Sequence, residues 1–130
     1  GILFELKVGL SSDSKIVIDY GGKPVAKLRD ALKNEECINN LSYDAAIPFI
    51  LSMPTCNKFY FPWSIGGSKL QSEYINLLKI SKSDKILIRK NERYINNSPS
   101  ELLPIVFNYL ETNYKIHSEI NEYLVLKRNM

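Results

Sequence analysis

Apolar positions along this chain follow two spacings: short dense runs rich in β-branched residues, and longer stretches repeating every three to four positions. "KIVIDY" (residues 15–20) is a dense run of strand length that ends in Gly21-Gly22. Pro24 suits the first turn of a helix, and Val25, Leu28, Ala31 and Leu32 then recur at helical spacing, predicting a helix over 24–34. "CINNL" (37–41) predicts a second short strand. Ser42 reads as the N-cap of a helix over "YDAAIPFILSM" (43–53), with Asp44 in its first turn and a kink or a short first turn at Pro48.

Pro54 closes that helix, and "KFYF" (58–61) predicts a third strand. The turn "SIGGS" leads into "KLQSEYINLLKI", where Leu70, Tyr74, Leu77 and Leu78 share one helical face. "KILI" (85–88) predicts a fourth strand. After the polar loop "NERYINNSPS" comes a helix capped near Ser98 or Ser100, with Leu102, Leu103, Val106, Phe107 and Leu110 turned inward. "YKIHSEI" and "EYLVLKR", separated by little more than Asn121-Glu122, have the form of a β-hairpin. Strands that alternate with helices imply right-handed crossovers and a mostly parallel sheet. The expected fold is therefore a small α/β domain, a Rossmann-like three-layer sandwich whose mostly parallel sheet ends in an antiparallel hairpin.

Composition narrows the class without naming an activity. At 130 residues the chain forms one domain, 45% apolar and 24% charged, with enough length for a single core. The net charge of +3 arises from 17 basic and 14 acidic side chains that are evenly scattered, which argues against a nucleic-acid partner. Lys85, Arg89, Lys90 and Arg93 are the one close basic run, and they read as the solvated margin of a strand. No apolar run approaches the roughly 20 residues that span a bilayer. Because the chain opens on Gly1 rather than Met, it is expected to be a segment excised from a longer protein.

Cys37 and Cys56 lack the CxxC spacing of zinc or redox sites, and His117 is the one histidine, so no metal centre is expected. Cys37 begins the second predicted strand and Cys56 just precedes the third. If those strands are parallel neighbours, their starts lie about 5 Å apart, within reach of a disulfide. A Cys37–Cys56 bond is the expectation, with two buried free thiols as the alternative; the bond requires an oxidising compartment.

No catalytic set is legible. His117 lies in a predicted strand with no nucleophile elbow anywhere in the chain, and Glu35 and Glu36 are adjacent and so do not face each other. "DYGGKPVAKL" lacks the third glycine of a dinucleotide fingerprint, and no cofactor is expected. In open parallel sheets ligands sit beyond the carboxyl ends of strands. That edge would collect Asp19, Asn40, Tyr43, Trp63, Gly66, Gly67 and Arg89, with Lys69 beside the glycines at a helix start suited to an anion. Amides, aromatic rings and cations in that mixture suit a sugar or phosphate better than an apolar ligand.

The stretch from "ECINNLSYDAAIPFIL" through "PTCNKFYFPW" and "KLQSEYINLL" to "SDKILIRK" resembles a known type of domain. It is similar to the soluble C-terminal module of bacterial polytopic membrane proteins of the dolichyl-phosphate-mannose mannosyltransferase and related lipid-linked-sugar glycosyltransferase type. The likeness rests on the asparagine-bearing strand end, the "P-T-C-N-K-F-Y" stretch, Gln71 in its helix, and the strand at 85–88. It spans residues 24–90, and it departs from the pattern at "SKSDK", where a proline often opens the strand. The resemblance implies an extracytoplasmic, non-catalytic accessory domain that assists binding of a glycan or lipid-linked sugar, with the membrane-embedded portion of the parent chain as its partner. Catalytic residues of such proteins lie in the membrane portion, so none is carried over. The competing expectation is a stand-alone small-ligand or nucleotide-binding enzyme domain using Asp19 and the Gly66-Gly67 helix start.

Overall fold

Strands form where the apolar runs are densest. The computed structural model describes residues 24–59, 62–93 and 96–130. "KILIR" is β1 (Lys85–Arg89), and the closing hairpin supplies β2 (Tyr114–Ile120) and β3 (Tyr123–Arg128). All pairing among these strands is antiparallel, in the order β1-β3-β2, with Leu87 opposite Val125 and Ile86 opposite Leu126. The predicted hairpin is present. Asn121 takes φ 53° in its turn, a left-handed conformation that asparagine tolerates better than most residues. On the outer strand a register shift between Ile116 and Ser118 leaves His117 unpaired as a bulge.

The expected Rossmann-like sandwich with a mostly parallel sheet is not what forms. Parallel contact among the described residues is confined to two isolated bridges, Ile38–Thr55 and Asn40–Leu87. Local polar chemistry explains why "CINNL" and "KFYF" do not extend those bridges into strands. Asn39 donates through Nδ2 to Ser81 Oγ and the Lys85 carbonyl, while Asn40 donates to the Asp44 carbonyl and accepts from Ser42. Asn57 Oδ1 accepts from Phe59 N at 2.8 Å, closing a turn where the third strand would run. Side chains that bond nearby backbone, as Asn40 and Asn57 do, compete directly with a ladder. The first predicted strand, 15–20, lies outside the described residues.

Among the described residues, five short helices surround the sheet: α1 (Val25–Ala31), α2 (Ile47–Ile50), α3 (Ser68–Lys79), α4 (Pro99–Leu102) and α5 (Pro104–Asn113), with a 3-10 helix at Pro62–Ile65. The second is far shorter than the pattern suggested. Pro48 sits in its first turn, and Ser42 is not its N-cap: Ser42 and Asp44 hold a chain of side-chain turns ahead of it, with Asp44 Oδ1 accepting from Ala46 N. Leu103-Pro104 splits the last predicted helix in two, because Pro104 has no N–H and Leu103 leaves the helical region at φ −126°. Ser98 caps α4 in a reciprocal box with Glu101, as one of the two predicted caps. No helix among the described residues is long and apolar enough to cross a membrane.

Both faces of the sheet are covered. Ile86 and Leu126 pack with Tyr74 and Leu78 of α3 and with Val106 and Leu110 of α5. Leu87, Tyr123 and Val125 pack on the other side with Val25 and Leu28 of α1, Leu32, Ile47 and Leu51. This two-sided burial explains why β1 and β3 read as continuous apolar runs rather than alternating ones. From the aromatic stretch, Phe59 is buried with its ring edge-on to Tyr74, the centroids 5.9 Å apart.

One polar side chain interrupts the buried face of α3. Leu70 points outward, and Gln71 takes the inward position, 3% exposed. Its Oε1 accepts from Ile105 N at 2.9 Å and Val106 N at 3.2 Å. Those are orphan donors in the first turn of α5, which has no cap of its own. Replacing Gln71 by Leu removes the acceptor and strands both donors in a dry site, an expected loss of about 1–3 kcal/mol. Urea unfolding tests this; a midpoint unchanged from the native chain would mean that water reaches the α5 terminus.

The disulfide is present, with Cys37 and Cys56 bonded and their Cα atoms 4.9 Å apart. The reason is the anticipated one on a smaller scale: Ile38 N donates to the Pro54 carbonyl and Cys56 N to the Ile38 carbonyl, so the two segments run side by side. The expected consequence of the Cys37→Ser/Cys56→Ser double substitution is a loss of roughly 3 kcal/mol in the chain-entropy account. Denaturant midpoints of the oxidised native chain and the double variant check it, and equal midpoints would remove the bond as a source of stability.

Candidate functional site

β1 ends in "RKNER", and this segment organises the polar surface beyond the sheet. Arg89 donates to Glu122 Oε2 at 2.6 Å, and its guanidinium lies 5.5 Å from the centre of the Tyr123 ring. Lys90 N bonds the Glu122 carbonyl, and Lys90 Nζ pairs with Glu119, so the chain beyond β1 is fastened to the hairpin. Asn91 takes φ 58° and reverses the chain direction. Arg93 then donates through Nη1 to the Asn96 carbonyl at 3.0 Å and to Glu101 at 3.2 Å.

Glu92 faces inward between these pairs. Its Oε2 accepts from Tyr43 N at 2.8 Å, and its Oε1 is buried with no hydrogen-bond partner among the described residues. Burial is the main cause holding its pKa above the ordinary carboxylate value, opposed by the Tyr43 bond and by Arg89, and reinforced by the charges of Asp44 and Glu122. Tyr123 is pushed up to about 12, again chiefly by burial, with Arg89 acting against the shift.

Two adjoining depressions share Arg89, Asn91, Glu92 and Arg93 as their common wall. One, of about 340 Å³, is backed by Leu41, Ile88 and Phe107. The other, of about 490 Å³, is bounded by Tyr43, Asp44 and Glu122. Both fall in the ~300–1,000 Å³ range typical of small-ligand sites.

The residues anticipated from sequence fall in different places. Tyr43 and Arg89 do come together, on the wall of the larger depression. Asn40 is 1% exposed and builds the turn behind Tyr43: Oδ1 accepts from Ser42 N and Oγ, and Nδ2 donates to the Asp44 carbonyl. It lines neither depression. Gly66, Gly67 and Lys69 line neither depression. Gly67 stands at the N-cap of α3 with φ 84° and ψ 156°, a conformation close to glycine-only, so the turn itself accounts for that glycine. Trp63 lies in the 3-10 helix, and Asp19 lies outside the described residues. The polar residues that sequence reasoning passed over are Glu92, Arg93 and Glu122. A signal was present in the acid set inside the basic run, but the run reads as a solvated strand margin until the Tyr43 turn is seen to close over it. His117 is exposed on the outer strand, its Nδ1 2.8 Å from Ser118 Oγ.

No protein-family model, no curated protein and no solved structure matches the chain.

The raised pKa of Glu92 has a definite sign in stability. The folded chain holds this proton more tightly than the unfolded chain. Stability from this group is therefore present at low pH and is lost as pH rises from the unfolded carboxylate value, about 4.3, through the raised folded value. Glu92→Gln keeps an acceptor for Tyr43 N and removes the buried charge. Its melting temperature should exceed that of the native chain at pH 7, with the gap closing toward pH 4. A gap independent of pH, or of opposite sign, would show that burial does not raise the Glu92 pKa in the folded chain.

Proposed function

We propose that this chain is a non-catalytic, extracytoplasmic accessory domain of a membrane glycosyltransferase-like protein. In this reading it holds a glycan or lipid-linked sugar in the cleft beyond β1, beside the membrane-embedded portion of its parent. The observation that carries the reading is the composition of the cleft wall. Guanidinium, carboxylate and carboxamide groups of Arg89, Glu92, Arg93 and Asn91 stand beside Tyr43 on one open surface. Planar polar groups that can donate and accept in several directions match the many hydroxyls of a sugar. Two further features support it. The Cys37–Cys56 bond fits an oxidising compartment, and the sequence resembles soluble domains of such transferases over residues 24–90.

Thermal shift separates this reading from that of a nucleotide-binding enzyme domain. A ligand present at a hundred times its Kd stabilises by about 2.7 kcal/mol, which is several degrees for a chain of this size. Oligosaccharides are expected to raise the melting temperature, and ATP and UDP are expected to leave it unchanged. Stabilisation by the nucleotides with none by oligosaccharides would overturn the assignment.

A further inference from the structure

Resting on the glycan reading, we infer that the cleft beyond β1 recognises the neutral hydroxyl groups of a sugar ring through Glu92, and not the phosphate of a lipid-linked donor. The argument starts from which groups are already satisfied. Each cation on the cleft wall has a carboxylate partner: Arg89 with Glu122, Lys90 with Glu119, and Arg93 with Glu101. A phosphate entering here would compete with those carboxylates for every donor and would face the charges of Glu92 and Asp44. No surplus positive charge awaits it.

The unmet demand is for a donor. Glu92 is fixed by its Oε2 bond to Tyr43 N, which leaves Oε1 buried and without a partner among the described residues, on the wall common to both depressions. A buried acceptor left unpaired is costly, and a ligand hydroxyl that donates to it recovers that cost on binding. Asn91, exposed and held at φ 58° on the same wall, adds a carboxamide that can both donate and accept. One hydroxyl donating to Glu92 while its neighbour engages Asn91 is the pattern that adjacent hydroxyls of a sugar ring satisfy.

The test is backbone amide NMR of the oxidised chain, titrated with methyl glycosides of glucose, mannose, galactose and N-acetylglucosamine, and separately with inorganic phosphate. At least one glycoside should shift the amides of Tyr43, Asn91, Glu92 and Arg93, with affinity indifferent to added sodium chloride; phosphate at equal concentration should leave them in place. Glu92→Gln exchanges a charged acceptor for a neutral one, and binding should weaken roughly tenfold. Three results overturn the inference: phosphate shifting these amides as strongly, Glu92→Gln binding as tightly as the native chain, or glycosides shifting only amides elsewhere. In the last case the glycan-binding reading survives and only the assignment to Glu92 fails. If no glycoside shifts any amide, the glycan reading fails and the inference with it.

Discussion

Ile86 and Leu87 are neighbours in β1, face opposite sides of the sheet, and are both fully buried. The rest of the structure depends on that double burial. Ile86 belongs to the core beneath α3 and α5, and Leu87 to the core beneath α1 and α2. On one edge β1 pairs with β3, and on the other Leu87 exchanges backbone bonds with residues 39–41, donating to Asn39 and accepting from Leu41. The strand thus joins the two cores and the loop that carries Tyr43. Moving it one residue in register would turn each buried side chain to the wrong core.

Polar groups set the geometry around this strand. Asn39 reaches Ser81 and Lys85 as the chain enters β1. Ser83, 1% exposed, donates to Glu35, which also pairs with a largely buried Lys85. Lys85 Nζ in turn donates to the Ala31 carbonyl near the end of α1. These bonds tie the start of β1 to the segment that leads into the disulfide. Buried polar networks of this kind, here with Asn39 Oδ1 left without a hydrogen-bond partner among the described residues, specify a geometry more than they add net stability. Gln71 does the same on the far side, where one amide oxygen locates the start of α5 against α3.

At its other end β1 delivers Arg89 to Glu122 and passes directly into the turn that seats Glu92. The hairpin that covers β1 also supplies Glu119 and Glu122, so the sheet pairing that buries Leu87 also pairs Arg89 and Lys90, while Glu101 of α4 pairs Arg93. The cleft is consequently polar and its cations are paired with carboxylates, while Glu92 Oε1 is buried without a hydrogen-bond partner among the described residues. A surface of that kind suits recognition of an uncharged polar ligand.

Much of the local structure was legible in the chain. The helical repeats of α1 and α3, the apolar run of β1, the Ser98 cap and the final hairpin follow from side-chain spacing and turn chemistry, which act over a few residues. The Cys37–Cys56 bond also followed, because it needs only that two short segments run side by side. Strand direction and extent did not follow. "CINNL" has the composition of a strand, but its two asparagines find partners at Ser81, Lys85, Ser42 and Asp44, and Ser81 and Lys85 become available only once the chain has folded back. The site divides in the same way. Arg89 and Tyr43 were grouped from sequence and share one depression wall, although the parallel sheet edge on which they were grouped does not form. Glu92 could not, because in sequence it is one more charge after a strand. Its burial arises when a turn 49 positions away lays its backbone N–H on the carboxylate, and only the tertiary structure brings the two together.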